Sequence, residues 1–309
     1  MISPGRCEDG GRVVNSVVWN LILLIEINYK NEAHTMQPPV SPRSPASQPV
    51  ARSGPARRRR GADSGGPGFI TALARGLEVL RCFGPGAATL GNQDLANLTG
   101  LPKPTISRIT HTLTGLGYLR YHADTGKYSP GYGVLALGFS LLAGLEVREL
   151  ARASMAQLAR DTGGAVALGA FDGDAMVYIE ALHGSSELYL RLPVGYRASL
   201  DSAMGRAYLA ALPGSQRAAL LARLPQAAPG AAAVEQACAD LRETGCCFAI
   251  GEWRPDINAV AVPFQAATGE GLFVMSCGGP ASLLPEAELR ARVAPALRAA
   301  AGLLSGGAR

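Results

Sequence analysis

The strongest constraint on this chain lies between Leu95 and Leu116, where one helix must stop, turn sharply and start again. Ala96 is small where two helices have to cross closely, and Gly100, four residues later, can take the positive φ of a tight interhelical turn. From Ile106 onward, Ile109, Leu113 and Leu116 recur on one face of a third helix that reaches about residue 116. Upstream, Ile70, Leu73, Leu77, Leu80 and Phe83 give an amphipathic first helix, which Gly84-Pro85-Gly86 ends. A short second helix fits about Asn92 to Leu98, with Leu95 and Leu98 inward. Any small helical hairpin shares this spacing, so the pattern becomes specific only through what surrounds it.

Two features surround it. The face of the third helix opposite the apolar one carries Pro104, Ser107, Arg108, His111 and Gly115, which are donors and small residues without apolar bulk, and Lys103 and Thr105 join Ser107, Arg108 and His111 as candidate DNA contacts. Such a face suits a major groove, with Arg108 placed for a guanine edge, although a merely solvated face would read the same way. Next come Tyr118-Leu119-Arg120-Tyr121 and Lys127-Tyr128-Ser129, flanking a turn that ends in Gly126. That is a β-hairpin directly after a recognition helix, hence a wing, with Arg120 and Lys127 within reach of phosphates.

The run from Leu95 through Thr99-Gly100-Leu101-Pro102 to Ser107-Arg108, with Gly117-Tyr118-Leu119 and Asp124-Thr125-Gly126-Lys127-Tyr128 behind it, resembles the IclR family of bacterial transcriptional regulators. The likeness continues through Gly131 to Gly138, at Gly251-Glu252-Trp253, at Asn258 to Pro263 and at Ser276 to Pro280, covering about residues 69–305. It implies an α+β protein with an N-terminal winged helix-turn-helix, a linker helix and a C-terminal GAF-like α/β effector-binding domain. It also implies double-stranded operator DNA and a small-molecule effector as partners, and a homodimer or dimer of dimers in which the linker helix takes part.

The remainder of the chain is consistent with that plan. Leu135, Leu142, Leu145 and Leu150, then Met155, Leu158 and Ala159, give mostly helical linker segments. Alternation then takes over. Ala165 to Phe171 and Ala175 to Ala181 read as strands about an Asp172-Gly173-Asp174 turn, and Glu187 to Pro193 as a third. A helix is expected over Ser202 to Leu212, later strands over 247–251, 258–264 and 271–277, and a closing helix from 284 or 285 to about 304. Strands in the middle with helices at both ends suggest one antiparallel sheet covered by helices. The expected division is a tail over 1–66, the winged helix over 67–132, linker helices over 133–160 and the effector domain over 161–305.

Composition removes several chemistries. The six cysteines include no CxxC pair and the four histidines no metal-binding spacing, so no metal site and no cofactor is expected. Cys246, Cys247 and Cys277 would have only His183 in their half of the chain as a base, so a cysteine enzyme is the weaker reading. No nucleophile elbow, Walker loop or dinucleotide fingerprint is present. A ligand pocket fits better than a catalytic site. By resemblance, Ala203, Met204, Glu252, Ile257, Ala259, Ser276 and Gly278 would line it, although ordinary packing would use the same residue types. Arg191, Arg197, Arg206 and Arg254 flank these segments, which suggests an organic acid as the effector, while surface ion pairing would equally account for them.

Charge is unevenly placed. Residues 1–66 carry nine Lys/Arg against five Asp/Glu, residues 67–145 six against three, and residues 146–309 fourteen against sixteen. The basic balance lies in the N-terminal half, which excludes a whole-chain polycation. Arg57 to Arg60 stand in a Pro/Ser/Arg/Gly-rich stretch and read either as a solvated linker or as a phosphate-contacting arm. The apolar stretch Val13 to Ile25 is shorter than the about 20 residues a bilayer requires, which disfavours a membrane-attached sensor. Glu8 and Asp9 spoil a signal sequence. Four of the seven Asn fall in the first 31 residues, so translation starting at Met36 rather than Met1 is expected. A cytoplasmic protein follows from this reading.

Overall fold

The computed structural model describes residues 68–84, 87–184, 192–224 and 229–305. The tail over 1–66, the Arg57–Arg60 run, Arg191 and most of the strand expected over Glu187 to Pro193 lie outside them.

The N-terminal part is built from α1 (Thr71–Arg81), α2 (Asn92–Thr99), α3 (Lys103–Gly115), β1 (Leu119–His122) and β2 (Lys127–Pro130). Val79, Leu90, Leu95 and Ile106 form its buried core, one or more from each side of the helical triangle. Gly100 closes α2 at φ 71 and donates its N–H to the Ala96 carbonyl at 2.9 Å, so the turn uses the left-handed geometry that its position demanded. The Thr110 hydroxyl, fully buried in α3, donates to the Ile106 carbonyl at 3.0 Å. β1 and β2 pair antiparallel, with Arg120 opposite Ser129 and His122 opposite Lys127. Leu90 adds a bridge to Tyr128, with N–H to carbonyl distances of 3.0 and 2.9 Å. That bridge anchors the hairpin to the helices and makes it a wing.

Two helices follow, α4 (Tyr132–Ala143) and α5 (Glu146–Thr162), and their burial differs completely. No residue of α4 is buried, whereas Val147, Ala151, Met155, Leu158 and Ala159 of α5 are. Glu270 closes the joint between them, accepting hydrogen bonds from the Glu146 and Val147 N–H groups at 2.9 Å each.

The C-terminal part is an antiparallel sheet of β3 (Ala165–Phe171), β4 (Met176–His183), β5 (Arg197–Ala198), β6 (Cys247–Ile250), β7 (Ile257–Gln265) and β8 (Leu272–Pro280). Its order is β5-β4-β3-β8-β7-β6. Successive residues of a strand face opposite sides. On one side Val166, Leu168, Val260, Val262, Met275 and Cys277 pack against α5 and the closing helix. That helix runs from Glu286–Glu288 (α9) through a π-helical turn at Leu289–Val293 into α10 (Ala294–Leu304). On the other side Ala167, Ala249, Ala261 and Val274 face α6 (Ala203–Ala211) and α8 (Ala231–Thr244). α8 and α7 (Gly214–Arg223) have no counterpart in the sequence-based expectation. Gly205 lets α6 approach closely, because a Cβ there would collide with the Leu200 backbone.

Candidate nucleic-acid interface and ligand cavity

α3 presents its candidate DNA residues as the helical period requires. Lys103, Ser107, Arg108 and His111 are exposed, and Thr105 is half-buried. The Arg108 carbonyl accepts from the Thr112 hydroxyl at 2.9 Å, while its guanidinium has no hydrogen bond or ion pair among the described residues and is available to an incoming acceptor. In the wing Arg120 and Lys127 are exposed. Arg120 is engaged locally, donating to the Tyr132 hydroxyl at 3.3 Å with its guanidinium 5.2 Å from the centre of that ring. Tyr132 therefore holds Arg120 beside the start of α4, a neighbour that reading the hairpin alone does not reveal.

In the C-terminal part, a cavity lies between the sheet and the start of α6, with an empty volume of about 810 Å³ including its open mouth. Small side chains create it. Ala165 and Ala167 of β3, Ala249 of β6, Ala259 of β7 and Ser276 and Gly278 of β8 all line it. β3, β7 and β8 are in register here, with Ala165 and Ala259 both opposite Gly278 and Ala167 opposite Ser276. Six of the seven expected residues come together in this lining, namely Ala203, Met204, Ile257, Ala259, Ser276 and Gly278.

Glu252 does not line the cavity. Its carboxylate turns to the Arg206 guanidinium instead, while the next residue, Trp253, lines the cavity in its place. The arginine expectation also needs correction. Arg197 pairs with Asp172 and Asp174, Arg206 with Asp201 and Glu252, and Arg254 with Asp256, and none of the three lines the cavity. Arg254 and Arg206 each have an acid within five residues, but Asp172 and Asp174 reach Arg197, and Glu252 reaches Arg206, only through the fold, which composition alone cannot show.

The polar groups that do line the cavity are Tyr178, Tyr196, His183, Ser199, Ser202 and Ser276. Burial pushes the Tyr178 phenol well above its ordinary pKa of 10, the nearby Tyr196 adds to the rise, and a hydrogen bond with Ser276 partly opposes it. Burial raises Tyr196 as well. Both therefore stay neutral across ordinary pH and keep a hydroxyl that can donate and accept. Their rings meet edge to face with centroids 5.4 Å apart. Tyr178 is the lining residue that sequence reasoning missed most clearly. Its signal was an aromatic hydroxyl at an alternating, inward strand position.

The model of the bacterial transcriptional regulator IclR C-terminal domain matches residues 139–306, and that of the IclR helix-turn-helix domain matches residues 72–123. The chain belongs to the IclR family. It is therefore a DNA-binding transcriptional regulator with a C-terminal effector-binding domain. It is 32% identical to the HTH-type transcriptional regulator TsaQ1/TsaQ2 of Comamonas testosteroni, over 75% of this chain and 86% of that one. It also resembles the crystal structure of an IclR family transcriptional regulator from Brucella abortus, at 40% identity and a TM-score of 0.71, covering 81% of this chain and 97% of that one. A third likeness, of fold alone, is to an IclR homologue from Microbacterium hydrocarbonoxydans complexed with 4-hydroxybenzoate. There the identity is 22% and the TM-score 0.61, with 76% of this chain and 98% of that one covered. Among the described residues no helix is long and apolar enough to cross a membrane, and no group of metal-binding side chains forms a cluster.

Proposed function

We propose that the protein is a cytoplasmic operator-binding dimer, or dimer of dimers, whose affinity for DNA changes when a small organic acid enters the cavity beneath α6. The observation that carries this reading is that six of the seven residues named by resemblance, from α6, β7 and β8, line one cavity. Lys103, Thr105, Ser107, Arg108 and His111 meet the major groove, and Arg120 and Lys127 meet phosphates. The domain division is a winged helix over 67–132, linker helices over 133–160 and an effector domain over 161–305.

With Arg197, Arg206 and Arg254 paired elsewhere, an acid meets, among the described residues, neutral hydroxyls and His183 rather than guanidinium groups. The 4-hydroxybenzoate complex of the Microbacterium homologue makes aromatic acids the first class to test. Association is supported by the apolar surface of the N-terminal part. Leu73 of α1 and Leu135, Phe139 and Leu141 of α4 are each at least 60% exposed, an arrangement that a second copy would cover.

Catalysis is not part of this reading. Cys246 and Cys277 are fully buried, and burial pushes each thiol up to about 11; Cys247 is buried and raised further. Such thiols are poor nucleophiles. The test is a thermal-shift screen of small carboxylic acids, followed by titration of an operator selected from random-sequence DNA with each hit. Acids that stabilise the protein yet leave operator affinity unchanged would sink the regulatory reading.

A further inference from the structure

Arg206 carries more than its pairing suggests. It lies on α6 just after Ala203 and Met204, and its side chain is only 8% exposed. One guanidinium nitrogen donates to Asp201 at 2.9 Å, another to Glu252, and Nε is buried without a hydrogen-bond partner. The two acids differ in what they hold. Asp201 immediately precedes the Ser202 cap of α6, so that pair stays within one local segment. Glu252 lies 46 residues away, between β6 and β7, so that pair joins two parts of the cavity wall.

The segment over 251–256 is tightly folded. Gly251 sits at φ 66 and donates to the Ile257 carbonyl at 3.1 Å, and the Ile257 N–H returns to the Arg254 carbonyl at 2.9 Å. A turn this compact moves as a unit, so whatever fixes Glu252 also fixes Trp253. Trp253 lines the cavity while remaining 43% exposed, as expected of a side chain at the mouth. The Arg254 guanidinium stands 5.8 Å from the ring centre. Asp201 still compensates the buried guanidinium when Glu252 is removed, so what the Arg206–Glu252 pair adds is the tie between the turn and α6 rather than stability of the fold.

We propose that Arg206 is a positioning residue for the effector cavity: through Glu252 it holds Trp253 at the mouth, and Trp253 thereby determines which ligands are admitted. This rests on the cavity being the effector site. A large indole against a sheet face of alanine, serine and glycine leaves a slot that favours flat ligands over branched ones.

The experiment uses the full chain carrying Trp19→Phe, which leaves Trp253 as the sole indole of the two in the sequence. Glu252→Gln and Arg206→Met should raise acrylamide quenching of Trp253 at least twofold and shift its emission to the red. Asp201→Asn removes the other carboxylate and should leave both unchanged, a contrast that general loosening of the fold would not produce. Glu252→Gln should keep the parent's circular dichroism and thermal midpoint, since Glu252 is 44% exposed. In stopped flow, the dye 8-anilinonaphthalene-1-sulfonate should enter Glu252→Gln several times faster than the parent, and Ala259→Trp should abolish that binding in either background. Unchanged quenching in Glu252→Gln overturns the proposal at the ion pair. Dye binding that survives Ala259→Trp, or no dye binding at all, overturns it at the cavity reading instead.

Discussion

The two faces of the C-terminal sheet are made by the same strands and do opposite things. Along β8, Met275 and Cys277 face α5 and α10 and are fully buried in a filled core, while Ser276 and Gly278, which alternate with them, face α6 and line a cavity. β7 repeats the contrast, with Val260 and Val262 on the filled side and Ala259 on the hollow one. Side-chain volume on alternate positions thus separates stability from binding within single strands. A ligand site on such a sheet needs no gap in the backbone; it needs small residues at every second position of three neighbouring strands.

The largest effect should come from the filled face. Met275→Ala removes a fully buried side chain from the centre of that cluster and should cost about 2–5 kcal/mol in urea denaturation. A cost comparable to a surface substitution would mean that the two faces are not divided as described. Its counterpart on the hollow face is Ala259→Trp. There the cavity takes up part of the added ring, so the stability cost should sit at the low end of the about 1–3 kcal/mol typical of added bulk, while binding of any acid found by thermal shift should disappear. If Ala259→Trp destabilises as much as Met275→Ala, the hollow face is simply core.

Operator binding should respond to neither substitution in the absence of ligand, which separates α3 from both faces. Arg108→Ala should weaken binding to a selected operator by about 1–3 kcal/mol, and weaken binding to random DNA less. Gel-shift titration of both DNAs reads the difference. Equal losses on the two would make Arg108 a phosphate contact rather than a base contact.

This division was partly legible beforehand. The Gly100 turn and the strand Ala165–Phe171 follow from one positive-φ requirement and one clean alternation, and both are local. α7 and α8 were not legible. In Gly214–Arg223 and Ala231–Thr244 the repeated alanines count neither clearly as core nor clearly as surface, so the helical period has little contrast. Glu252 shows a different limit. Its place in the chain marked it as lining, but its direction is set by Arg206, a partner 46 residues away that no local pattern names. The paired arginines repeat that lesson, since a cation's availability depends on neighbours brought in by the fold.

The smallest effect lies at the far end of the strands whose starts and ends line the cavity. β7 and β8 run from the lining residues Ile257, Ala259, Ser276 and Gly278 to a turn containing Glu270, which caps α5 where the linker helix arrives. Both faces of the sheet share that turn, so the cap should contribute to stability without affecting the cavity. Burial raises the Glu270 carboxyl, but hydrogen bonds from the Thr268 hydroxyl and from the Val147 and Glu146 N–H groups outweigh it, and the net shift is downward from 4.5. A carboxyl lowered in the folded state contributes stability that is present above its unfolded pKa and is lost as the pH falls through the folded one. Removing a helix cap typically costs about 0.5–2 kcal/mol, and this partly exposed cap should fall in the lower half of that range. Urea denaturation of Glu270→Ala should therefore show a deficit of about 1 kcal/mol at neutral pH, and the gap to the parent should narrow as the pH falls below 4.5. Acid binding should persist in the variant, because Glu270 does not line the cavity. A deficit that stays constant down to low pH would show that Glu270 acts by packing rather than as an ionised cap.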